Sequence, residues 1–184
     1  MAGRSARSTA HWSDVKASLA GLDRDDLLKL VQDLYTAIKD NQLFLHTRFG
    51  LGDDVLAPYK ATISRWLWPD VFKNQDTSVA KAKKAIADYK KAVGQSQGLA
   101  ELMVFYCQQA AGFYADVGMD DEGHFDALVR MFEQALKASA GLPAEQRDAL
   151  CARLDKVRLM SHNLGYGVGE DMDTLLAEHG LEGG

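Results

Sequence analysis

Apolar side chains recur at intervals of three and four residues through most of this chain, and this periodicity is the main constraint on its fold. The clearest instance spans residues 23–38, where one stripe is formed by Leu27, Leu30, Val31, Leu34, Tyr35 and Ile38. The spacing places these side chains on one face of an α-helix. We expect Asp23 to cap its N-terminus, with Asp25 and Asp26 in the electropositive first turn.

The same periodicity predicts further helices along the chain. A short pattern covers 12–19, and another covers 55–67, where Pro69 should end the helix. Thr77 or Ser78 can cap a helix over 79–93 that stops at Gly94. Later patterns predict helices over 99–117, 125–136, 143–163 and 171–178. For 41–49 the pattern fits either a continuation of the 23–38 helix past a bend or a separate turn of helix.

Seven or eight helices with short connections predict an all-α protein, in which antiparallel neighbours form a compact bundle. No run of alternating β-branched residues supports a sheet. The pair 99–117 and 125–138 has the character of a helical hairpin, so a short α-solenoid is the minority interpretation. No linker separates two domains, and we expect one domain over 12–180 between mobile tails at 1–11 and 181–184.

Composition and cysteine placement predict an intracellular protein. The 184 residues are 47% hydrophobic and 26% charged, which is ordinary for a soluble globular domain. Cys107 and Cys151 lie in amphipathic patterns, which indicates small core residues or inert thiols in a reducing compartment. No secretory signal and no stretch of about 20 apolar residues is present. We therefore expect a cytoplasmic location and no membrane partner.

Charge is distributed unevenly along the sequence. Residues 58–93 hold eight bases and three acids, whereas 94–184 hold six bases and fifteen acids, within a formal net charge of −5. On a helical wheel of 79–93, Lys81, Lys84 and Lys91 fall opposite the apolar seam, and Lys83 and Lys90 flank it. With three upstream residues they define the basic surface, whose members are Arg65, Trp68, Lys73, Lys81, Lys83, Lys84, Lys90 and Lys91.

The basic surface is the candidate binding site. Its ammonium groups would attract an anionic partner, either an acidic protein surface or a nucleic-acid backbone. The competing interpretation is an ordinary solvated helix, because Asp88 can pair with Lys84 four residues earlier. Trp66 falls on the inward stripe and is expected in the core, which leaves Trp68 as the aromatic candidate. The favoured function is non-enzymatic binding at this surface.

Other clusters fit structural roles better than chemical ones. The acids and histidine at Asp116, Asp120, Asp121, Glu122, His124 and Asp126 match neither an EF-hand nor an HExxH spacing, and acids favour helix starts. The glycine-rich segment 165–169 resembles a phosphate cradle but lacks the strand and lysine of a P-loop, so a turn that lets two helices meet closely fits better. No metal or cofactor is predicted.

No catalytic residue is predicted either. A cysteine and a histidine could in principle assemble into a nucleophilic pair, for instance Cys151 and His162. Eleven residues of one helix separate side chains by about 16 Å along its axis, which is too far for a hydrogen bond.

Two segments carry a resemblance. Residues 27–35 (LLKLVQDLY) with 44–49 (FLHTRF), and 66–72 (WLWPDVF) with the lysine helix that follows, resemble a group of small uncharacterised bacterial proteins. The similarity extends over most of the chain. The resemblance implies a bacterial, all-helical, soluble protein and brings no assigned activity and no catalytic residues.

Two alternative functions remain open at this point. One is an enzyme or small-ligand-binding protein with a pocket between helices, lined by Tyr106, Tyr114, His124 or His162. The other is a subunit of a bacterial regulatory or defence-type complex, in which the acidic segment 94–184 forms the interface.

Overall fold

The computed structural model describes residues 10–94 and 96–179, with the backbone alone at Ser96. These residues form nine α-helices and one 3-10 turn and contain no strand, which confirms the all-α class. Of the predicted tails, residues 1–9 and 181–184 lie outside the described part. His11, which was predicted to belong to the N-terminal tail, lies at the start of the first helix, where its backbone N–H donates to Asp14 Oδ2 at 2.8 Å.

The chain divides into two units, whose boundary in sequence lies between Leu45 and His46. The first unit contains α1 (Trp12–Leu19), α2 (Arg24–Ala37) and the start of α3 (Lys39–Phe49). Asp23 caps α2 as predicted, since its side chain accepts from the Asp26 N–H at 2.9 Å. The apolar stripe of α2 exists, but no side chain of α1 or α2 is buried.

The helix at 39–49 is separate from α2, which settles the alternative that the sequence left open. Ile38 has an extended backbone, with φ −147° and ψ 146°, and this ends α2. Asn41 then donates from Nδ2 to the Leu34 carbonyl at 2.6 Å and satisfies one of the acceptors that the last turn of α2 leaves free.

The second unit contains six α-helices and the 3-10 turn, in addition to the end of α3. Their bounds are α4 (Ala57–Leu67), the turn (Val71–Lys73), α5 (Val79–Ala92), α6 (Ser96–Val117), α7 (Glu122–Ala140), α8 (Ala144–Ser161) and α9 (Val168–Glu178). In this unit α6 packs against α4, α5, α7 and α8, while α9 packs against α7 and α8. Contacts beyond sequence neighbours are typical of a bundle rather than of a solenoid.

The core of the second unit is formed by the apolar faces that the periodicity predicts. The large side chains of this core are Ile63, Leu67, Tyr89, Leu102, Tyr106, Tyr114, Phe125, Leu128, Phe132, Leu136, Leu154 and Met172. Each fully buried aliphatic side chain contributes about 1.5–3 kcal/mol to stability.

Helix α9 begins earlier than the predicted 171, at a point where it lies very close to the end of α8. It starts at Val168, inside the glycine-rich segment, after Gly167 with φ +72°. Gly169 is buried in the first turn, and a Cβ there would lie 2.6 Å from His162 Cγ. Because only glycine permits this approach, the segment lets the end of α8 and the start of α9 meet closely.

Candidate anion-binding surface

Helix α5 presents its lysines to solvent because its other face is buried. Ala82, Ile86 and Tyr89 lie in the core of the second unit. Ser78 fixes the helix start by accepting from the Lys81 N–H at 3.4 Å. The outward members Lys81, Lys84 and Lys91 are all exposed, as the helical wheel predicts. They extend along about 15 Å of helix axis.

Two cations of the basic surface lie against one indole. The ammonium of Lys81 is 3.7 Å from the centroid of the Trp66 ring, and the guanidinium of Arg65 is 4.5 Å from it. Arg65 also donates to the Asp76 carbonyl at 3.3 Å. A cation over an aromatic face gains about 0.5–1 kcal/mol at exposed sites. The ring therefore restrains both charges without neutralising either of them.

A single carboxylate serves two of the outward lysines. Asp88 lies 2.5 Å from Lys84 Nζ through one oxygen and 3.8 Å from Lys91 Nζ through the other. One negative charge therefore faces two positive charges. The side chain of Lys91 remains 75% exposed, so it can reach a partner in solution.

The remaining lysines differ in how available they are. Lys90 is exposed and forms no ion pair within residues 10–94 and 96–179. Lys83 is half-buried, and burial together with the neighbouring Arg130 lowers its pKa. Lys73 pairs with Asp70 at 2.9 Å, and the hydrogen bond from Lys73 holds the pKa of Asp70 below its usual value. The side chain of Lys73 is still 73% exposed.

The two tryptophans of this region differ from expectation. Trp66 is half-buried, and its ring contacts the cations of Lys81 and Arg65. The prediction that Trp66 lies in the core is therefore only partly correct. Trp68 is 43% exposed, yet its ring packs where a Cβ on Gly112 would lie, 2.4 Å from Cζ3, and contacts Phe113 edge-on at 6.4 Å. Both indoles are therefore already engaged by contacts within the protein.

Sequence reasoning missed one cation next to the basic surface. Arg48, at the end of α3, donates from Nε to the Ala92 carbonyl and from Nη2 to the Lys91 carbonyl at 3.0 Å. A guanidinium at a helix C-terminus satisfies free carbonyls and complements the helix dipole. No local pattern signals a partner more than forty residues away, and so the spacing rules could not find it.

The residues proposed to line a catalytic or ligand pocket do not form one cluster. Tyr106 and Tyr114 are buried, their hydroxyls have no partner among the described residues, and burial raises the pKa of both. Tyr114 contacts His124 edge-on at 5.8 Å, and His124 pairs with Asp121 at 3.0 Å. His162 pairs instead with Asp173 at 3.2 Å.

The other residues singled out in the sequence have structural rather than chemical roles. Asp121 caps α7 by accepting from the His124 N–H at 2.9 Å, as acids at helix starts commonly do. Burial raises the pKa of the thiols of Cys107 and Cys151, which disfavours the reactive thiolate. In the part of the chain that the structure describes, no three His, Cys, Asp or Glu side chains are grouped so as to hold a metal ion.

None of the helices in the described residues combines the length and the apolar character needed to cross a bilayer. Comparison of the chain with protein-family models, with curated proteins and with solved structures gave no match.

Proposed function

We propose that this protein works by binding an extended anionic partner along the basic surface, without catalysing a reaction. The observation that supports the proposal most directly is the excess of exposed ammonium groups over carboxylates on α5. Asp88 is the one acid of that helix, against five lysines. Lys81 contacts an aromatic ring, and within the described residues neither Lys81 nor Lys90 pairs with a carboxylate.

The shape of the surface favours a chain of anions over a single small ion. Lys81, Lys84 and Lys91 lie at successive levels of one helix, and ammonium groups act as point charges without a preferred bidentate geometry. Such a row can follow phosphates of a nucleic-acid backbone independently of sequence. Trp66 and Trp68 are both engaged by other side chains of the protein, which favours contact with the backbone over stacking on bases.

The test is a fluorescence-anisotropy titration with a labelled single-stranded oligonucleotide at low salt. The changes Lys81→Glu, Lys84→Glu and Lys91→Glu are made together and should abolish binding. A matched control carries Lys29→Glu, Lys137→Glu and Lys156→Glu, three exposed lysines outside the basic surface with the same total change in charge. This control should retain most of the affinity.

Three outcomes would count against the proposal or redirect it. Equal losses in the two triple variants would mean that net charge, and not the basic surface, governs the interaction. Binding of an oligoglutamate peptide without binding of the oligonucleotide would identify an acidic protein surface as the partner. The absence of saturable binding to either probe would reject the proposal.

A further inference from the structure

A second site lies elsewhere in the second unit, in a cleft of about 490 Å³ between α5, α6 and α8. This volume falls within the range of pockets that hold small organic molecules. The segment before α4 closes one side with Val55 and Leu56, and α8 contributes Ala149 and Leu150. These side chains give the cleft mainly apolar walls, which suit an apolar ligand body.

The polar floor of the cleft is a partly buried charge cluster. Glu101 accepts from Lys60 Nζ at 2.7 Å through Oε1 and from Arg153 Nη1 at 2.5 Å through Oε2. Burial raises the pKa of Glu101, but the hydrogen bonds from Arg153 and Lys60 lower this pKa by a larger amount. The pKa of Glu101 therefore lies below its usual value. Two cations therefore pair with one ionised carboxylate, so the cluster carries one excess positive charge. Glu101 and Arg153 line the cleft, whereas Lys60 contacts Glu101 without being one of the lining residues.

Several residues that line the cleft carry hydrogen-bond donors. Arg153 also donates from Nη2 to Gln108 Oε1 at 2.7 Å, which leaves three of its five N–H groups without a partner among the described residues. The Tyr89 hydroxyl lies where a Cβ on Gly98 would be, and it forms no hydrogen bond with any described residue. The amides of Gln97 and Gln146 line the rim and add further donors.

From these features we infer that the cleft binds a small monocarboxylate with an aliphatic or single-ring body. One carboxylate balances the excess charge of the floor and accepts from the free N–H groups of Arg153 and from the Tyr89 hydroxyl. A guanidinium with free N–H groups recognises a carboxylate well because its planar fork matches the two oxygens. The apolar walls then cover the remainder of the ligand.

Ligand-observed NMR titrations with three six-carbon probes test this inference. Hexanoate should bind saturably, whereas hexanamide, which has the same shape and no charge, should bind at least tenfold more weakly. Adipate, which would bring a second carboxylate against the apolar walls, should also bind more weakly than hexanoate. Equal affinity for hexanoate and hexanamide would overturn the role assigned to the carboxylate.

Three variants of α8, one of them a control, locate the binding. Ala149→Trp should fill the cleft and abolish hexanoate binding, and the milder Ala149→Leu should weaken it. Ala152→Trp places the same side chain at an exposed position of the same helix outside the cleft and should leave binding unchanged. Circular dichroism confirms that each variant is folded. Undiminished hexanoate binding in folded Ala149→Trp, or no saturable binding in the parent protein, would overturn the site.

Discussion

The ammonium of Lys81 lies over the ring of Trp66, so a residue at the start of α5 is held in place by a residue near the end of α4. Ser78 strengthens this junction, because its N–H donates to the Trp66 carbonyl at 2.9 Å. The contact fixes one end of the row of outward lysines while leaving its charge unpaired. A long lysine side chain that is restrained in advance loses less conformational entropy when it binds.

Removing this aromatic ring should weaken anion binding without changing the charge of the protein. We expect Trp66→Leu to reduce affinity for the oligonucleotide by about two- to fivefold, which corresponds to a cation–π contribution of about 0.5–1 kcal/mol. Trp12→Leu, in α1, is the matched control and should bind as the parent does. Anisotropy titrations measure both variants, and unchanged affinity in Trp66→Leu would show that the ring does not organise the surface.

Neutralising Asp88 should strengthen binding, because this carboxylate competes with the partner for Lys84 and Lys91. Asp88→Asn is expected to tighten oligonucleotide binding severalfold at low salt, with a smaller gain at high salt, since exposed charges are screened. Asp126→Asn changes the charge equally by breaking the exposed pair with Arg130 in the acidic segment. If Asp126→Asn gave the same gain, the effect would reflect net charge alone.

The carboxylate of Glu101 should make a pH-dependent contribution to stability. Its folded-state pKa is lowered, so its contribution is complete above the unfolded value of about 4.3 and disappears as the pH falls through the folded value. Glu101→Gln should therefore lower the free energy of unfolding by about 2 kcal/mol at pH 7. The difference from the parent protein should shrink at pH values below about 4.

Urea denaturation at several pH values measures this difference directly. Glu133→Gln is the control, because Glu133 forms an exposed ion pair with Lys137 within one helix. Such surface pairs contribute about 0.5 kcal/mol or less. A loss in Glu101→Gln that was as small as this, or that did not depend on pH, would contradict the assignment of a partly buried ion-pair cluster.

The close approach of α8 and α9 predicts an asymmetry between two glycines. A Cβ at Gly169 would lie 2.6 Å from His162 Cγ and 2.8 Å from its Cα, so Gly169→Ala requires the backbone to shift and should cost about 1–3 kcal/mol. Gly141 has open space around the Cβ position and φ −83°, and Gly141→Ala should change stability by less than about 0.5 kcal/mol. Thermal unfolding of both variants tests the asymmetry, which equal stabilities would refute.

The sequence was most informative where local rules decide the structure. Helix periodicity, Asp23 and Ser78 as caps and Gly94 as a stop all follow from interactions within a few residues, and each is present in the structure. The exposed side of α5 was predictable for the same reason, because the apolar seam determines which face is buried.

Features that depend on distant residues were not predictable from spacing. The bonds from Arg48 to the end of α5 and the joining of Lys60, Glu101 and Arg153 connect helices far apart in sequence. The early start of α9 was missed because glycines usually interrupt helices, whereas Gly169 is required there by the proximity of His162. The exposure of the apolar stripe of α2 also could not be read from its pattern, since periodicity shows which side chains share a face and not what covers them.

The salt dependence of oligonucleotide binding tests the central claim most directly. Each lysine that displaces a counterion from a single strand contributes about −0.7 to the slope of log Kobs against log salt concentration. Three or four lysine contacts on the basic surface predict a slope of about −2 to −3 for the parent protein. The Lys81, Lys84 and Lys91 triple variant should show no saturable binding at any salt concentration in the series. A parent slope near zero, or an equal slope in the triple variant, would contradict binding at this surface.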